Sequence, residues 1–105
     1  MTFEKDLTEL IEYIKEKAPN AELIIVGDFW SKEKSSIKER VANHENVKFA
    51  SLNDIIGDKK YQAPVGYVCF HLDGTSHKFT STDVAGHPND EGFRHIADRI
   101  IELLN

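Results

Sequence analysis

The sequence predicts an α/β protein. Three observations carry this reading. The first fifteen residues repeat apolar side chains at helical spacing, residues 23–26 form an uninterrupted aliphatic run closed by Gly27, and a second helical repeat runs from 93 to 104. Helix- and strand-forming stretches alternate between them, the pattern of parallel strands joined by right-handed crossovers.

Taken in order, Phe3, Leu7, Leu10, Ile11 and Ile14 define one face of a first helix, which Thr2 caps and Pro19 stops soon after Ala18. Leu23 to Val26 suits a strand buried on both faces, with Asp28, Phe29 and Trp30 at its end. Ser31 to Asn43 is helix-forming but weakly amphipathic; its apolar anchors are Ile37 and Val41, so a more exposed helix is expected. Val47 and Phe49 alternate with polar residues in a second strand, and Leu52 to Ile56 leads into a Gly-, Lys- and Pro-containing loop. Tyr67 to Leu72 and Thr75 to Phe79 read as extended, joined at Asp73-Gly74 by a two-residue hairpin. In the last helix Phe93, Ile96, Ala97, Ile100 and Leu104 share a face that Ile101 and Leu103 widen; Asn89 caps it and Gly92 allows close approach to a neighbour.

At 105 residues, with 40% hydrophobic and 30% charged residues, the chain is expected to form one small folded domain over 1–105. The net charge of −5 is spread along the sequence with no basic stripe, which argues against nucleic acid as a partner. No apolar run approaches a membrane span and the first fifteen residues are too charged for a signal-peptide core, so the chain as written reads as cytoplasmic, with the compartment of any longer parent left open. A single cysteine, Cys69, excludes an internal disulfide. Two short parallel strands also leave a sheet edge with unpaired backbone groups. A complementary N-terminal segment, a second copy of the chain, or hairpin strands folded back onto the sheet would cover it.

The chemistry concentrates between 82 and 104. His87 precedes Pro88 at the entry to the last helix, where a ring can reach a cleft from a fixed backbone, and Asp83 lies four positions upstream. An imidazole oriented through one nitrogen, with the other free to take a proton, is the general-base arrangement of a Ser-His-Asp triad. Asp83, His87-Pro88-Asn89 and Gly92 before an apolar helix together resemble the last sequence block of the SGNH hydrolases, also called the GDSL esterase/lipase family. Residues 1–30 look like the helix, Pro-containing turn and buried strand that follow that family's Gly-x-Asn-Asp block, and 46–52 are similar to the short strand before its final catalytic loop.

The resemblance covers most of this chain but only the C-terminal part of the family. It implies part of a flavodoxin-like, three-layer α/β fold and a serine-dependent hydrolase of carboxylic (O-acyl) esters that needs no cofactor and no metal. On that likeness His87 is the base, and its imidazolium is stabilised by Asp83 or by a backbone carbonyl; the family usually sets the Asp three residues before the His, a spacing that a loop containing Gly86 would stretch by one. The Gly-Asp-Ser block and the oxyanion Gly and Asn have no counterpart, so the chain by itself is expected to be inactive. The alternative is a non-catalytic α/β module that binds a partner chain or homodimerises through its sheet edge.

Other candidates read more plainly. Ser81 and Thr82 lack the strand-to-helix elbow of a nucleophile, and Asp28 is a strand-end carboxylate without the partners of a phospho-receiver site. Cys69, His71, His77 and His87 are zinc-ligand types at spacings of no compact finger or ribbon, while His44 and His95 read as solvated.

Overall fold

The computed structural model describes residues 2–66, 68–78 and 86–104. The fold is mixed α/β, and the chain gathers into two compact units, one holding the residues up to Gly57 together with those from Ile96 onward, the other Asp58–His95.

In the first unit, helix α1 (Phe3–Lys17) opens on Thr2, whose hydroxyl accepts from the Lys5 amide at 3.1 Å. Strand β1 (Ile24–Val26) leads through Ser31, the N-cap, into α2 (Lys32–Glu45), which Asn46 ends in the left-handed region at φ 56°. Strand β2 (Lys48–Ala50) then pairs parallel with β1, Ile25 opposite Phe49. Beyond the strands the Gly27 amide still donates to the Ala50 carbonyl at 2.8 Å. The core joins Ile11 of α1, Ile25 of β1 and Val41 and Ala42 of α2, with Leu7, Leu23, Val47 and Phe49 packed against them. Phe29, Leu52 and Ile55 are also buried.

The expectation that α2 is the exposed helix is corrected here. It packs on α1 and on both strands, and it buries Ser35, Val41, Ala42 and Glu45 while Ile37 is only half-buried. Its buried stripe is small and partly polar, so a hydropathy pattern underrates it: Ala42 has no exposed surface at all, and Ser35 is satisfied by donating to Asn53 Oδ1 at 3.0 Å. Buried Glu45 meets the exposed His44 ring, Oε2 to Nδ1 at 2.8 Å, and its carbonyl accepts from the Lys15 ammonium.

Arg40 of α2 clamps Glu4 of α1 with two bonds of 2.8 Å. This fork holds the Glu4 carboxyl below the usual glutamate range. A lowered folded-state value stabilises the fold above the unfolded value and is lost as pH falls through the folded one. Comparing melting temperatures of the protein and its Glu4→Gln variant therefore gives a constant small gap near neutrality that closes on the acid side of the glutamate range. The pair is exposed, so added salt narrows the gap as well.

Helix α3 (Asp90–Leu103) is strongly amphipathic in sequence, but its face is only partly used: Ile96, Ile100 and Leu103 are half-buried, whereas Phe93, Ala97, Ile101 and Leu104 are exposed. Within the first unit its second half is tied by Arg99 to Asp54 and by the Lys48 ammonium to the Leu103 carbonyl.

The second unit holds a one-turn 3-10 helix (Lys59–Tyr61) and an antiparallel pair, β3 (Val68–Phe70) and β4 (Ser76–Lys78), with Cys69 opposite His77 in register. Its connection is longer than Asp73-Gly74 alone. The His71 amide donates to the Thr75 carbonyl at 2.8 Å and the Gly74 amide to the His71 carbonyl at 3.1 Å, leaving the three-residue tip Leu72-Asp73-Gly74. Asp73 favours this tip because its Oδ1 accepts from the Thr75 hydroxyl at 2.6 Å and amide at 2.9 Å, which lowers its carboxyl below the usual range. Among the described residues the hairpin strands pair with each other as a sheet of their own.

Candidate functional site

His87 is built into the second unit by backbone chemistry. Gly86–Asn89 runs antiparallel to Tyr61–Ala63, bridged at Gln62 and Pro88. The Ala63 amide donates to the His87 carbonyl at 2.9 Å, the Gly86 amide to the Ala63 carbonyl at 2.8 Å, and the Asn89 amide to the Tyr61 carbonyl at 2.9 Å. Gly86 sits at φ +90°, closed to most L residues, and this reversal turns the chain into the ladder. The imidazole, left out of the ladder, is exposed.

The helix entry is fixed equally closely. Asn89 Oδ1 accepts from the Gly92 amide at 2.8 Å, the N-cap that the sequence predicts, while Asn89 Nδ2 donates to the carbonyls of Lys60 at 2.8 Å and Gln62 at 3.3 Å. Gly92 makes the close approach expected of it: a Cβ there would stand 2.5 Å from the Tyr61 carbonyl oxygen and 3.0 Å from Pro88 Cβ. His95, one turn on, places its ring 5.4 Å from that of Tyr61 and is half-buried rather than fully solvated. A cavity of about 270 Å³ lies on the ladder, lined by Lys59, Gln62, Ala63, Pro64 and Gly86. It adjoins the residue before His87, and its lining carries one cationic and one amide side chain.

Asp83, the candidate acid, and Ser81 and Thr82 lie outside the described residues. Asp28 is committed to the turn from β1 into α2: its Oδ2 accepts from the amides of Trp30 at 2.9 Å and Ser31 at 2.6 Å, and its Oδ1 lies 3.8 Å from the Lys38 ammonium. Phe29 is buried beneath that turn and stacks edge-on with the exposed Trp30 at 5.3 Å. Among the described residues, no three His, Cys, Asp or Glu side chains gather as a metal site. No helix among them is long and apolar enough to cross a membrane.

Sequence reasoning missed the segment Lys60–Ala63 as the partner of the His87 loop. Its contribution is four backbone carbonyls and one backbone amide, groups that every residue carries, so no residue pattern announces it. The one available signal was Asn89, whose amide can both donate and accept.

No family model, no curated protein and no solved structure matches the chain.

Proposed function

We propose that this chain is the C-terminal portion of an SGNH/GDSL-type hydrolase acting on carboxylic (O-acyl) esters, with a partial flavodoxin-like arrangement of parallel strands and helices. His87 serves as the general base. It takes the proton from a serine hydroxyl as that oxygen attacks the ester carbonyl, then returns it to the leaving alcohol. Asp83 or a backbone carbonyl stabilises the imidazolium, and the serine and oxyanion donors come from sequence not present in this chain. The observation that carries the reading is an exposed imidazole on a backbone locked on both sides, between a positive-φ glycine and a capped helix. A base must be presented in a fixed place, because misplacement by a fraction of an ångström erodes proton transfer.

Reconstitution tests it. The isolated chain should not react with a fluorophosphonate probe, whereas the chain joined to an N-terminal segment bearing the Gly-Asp-Ser and oxyanion blocks should hydrolyse p-nitrophenyl acetate in a His87-dependent manner. Stoichiometric serine labelling of the isolated chain, or reconstituted activity indifferent to His87, would overturn the reading.

A second reading, the partner-binding module, is favoured by a separate observation: among the described residues the parallel sheet has two strands, and Phe3, Leu10 and Tyr13 of α1 remain about half exposed. Size-exclusion chromatography with light scattering discriminates. A concentration-dependent dimer supports this module, and a monomer at all concentrations argues against self-association.

A further inference from the structure

We propose that Asn89 is a positioning residue for the His87 imidazole, acting through the loop backbone and not merely as a helix cap. The proposal rests on His87 being the base, yet it is read from different groups. Three successive carbonyls of the partner segment are all taken by residue 89: those of Lys60 and Gln62 by its side-chain amide, that of Tyr61 by its backbone amide. The same side chain turns its oxygen to the Gly92 amide in the first turn of α3. One residue thus ties together the 3-10 turn, the strand that holds the His87 carbonyl, and the helix that follows.

Capping alone does not require this residue type, since Asp, Ser and Thr accept the same helix amide. The two donations do. Aspartate has the size of asparagine but no donor, and it would set a carboxylate oxygen against two carbonyl oxygens, which repel it. Serine keeps an acceptor for the cap but is too short to reach both carbonyls. The orientation of the amide is fixed by its surroundings: its nitrogen faces only carbonyl acceptors and its oxygen faces an N–H. With those donations lost, the strand carrying the Ala63 amide loosens from residue 89, and the His87 carbonyl loses its fixed partner.

The test compares the whole chain with Asn89→Asp and Asn89→Ser by NMR, reading amide exchange at Ala63 and Gly92 and the ring resonances of His87. In Asn89→Asp the Gly92 amide keeps its protection because the cap acceptor survives. The Ala63 amide should exchange about tenfold faster or more, the factor that corresponds to one lost hydrogen bond at the upper end of its usual net worth. The His87 ring signals should shift from their positions in the parent chain. Asn89→Ser gives the same pattern without the added charge and serves if the aspartate variant does not fold. If Ala63 protection and His87 ring signals are unchanged in a folded variant with an intact cap, Asn89 is only a cap and the proposal fails. These readouts involve no turnover, so they stand or fall separately from reconstituted esterase activity.

Discussion

Gly92→Ala should destabilise the protein by about 2 kcal/mol, against the usual direction of that substitution. In an open helix the change gains nearly 1 kcal/mol, because alanine gives up less backbone entropy than glycine. Here the added carbon would stand 2.5 Å from the Tyr61 carbonyl oxygen. That oxygen cannot rotate aside, since it also accepts the Asn89 amide. Relief therefore requires α3 and the Lys60–Ala63 segment to part. Overpacking of this kind costs about 1–3 kcal/mol with a flexible neighbour and more with a rigid one. A net loss of about 2 kcal/mol corresponds to roughly 10 °C in melting temperature for a chain of this size. Gly92→Val, bulkier and β-branched, should lose more. A thermal melt in which Gly92→Ala is neutral or stabilised would show that the close approach does not exist in solution.

His87→Gln should lower the activity of the reconstituted enzyme about 10³-fold while leaving the fold intact. Glutamine preserves polarity and approximate size but has no nitrogen that takes a proton near neutrality, so under the proposed function it removes a general-base contribution worth about 10²–10⁴ in rate. The fold should survive because the bond between His87 and Ala63 uses the residue's carbonyl, which every substitution keeps. The melting curve is expected to shift less than that of Gly92→Ala, because the ladder bonds are kept. A loss of activity accompanied by equal loss of stability would assign His87 to structure instead of chemistry.

The two cases show what was legible in the sequence. α1 and α3 announced themselves by spacing, caps and charge at their ends, and β1 by an aliphatic run ending in glycine; each is a local signal written in side chains. The place of α2 is legible but its burial is not, because its closest packing is made by Ser35 and Ala42, which contribute little to any hydropathy pattern. The sequence points to a hairpin at Asp73-Gly74, but its tip has one residue more, decided by the bonds from Thr75 to Asp73. At the candidate site, the caps of Asn89 and the tight approach of Gly92 were readable. The opposing strand was not, since it is recognised through main-chain groups that no sequence spells out.

Pro88 has a consequence for what the molecule excludes. At the bridge to Gln62 the connecting bonds run through the residues on either side, from Ala63 to His87 and from Asn89 to Tyr61, so the nitrogen of residue 88 points outward, away from its own partner. In any other residue that nitrogen would offer a hydrogen to a passing extended chain. Proline offers none, so at that position the loop presents one donor fewer to a polypeptide that would add itself as a strand.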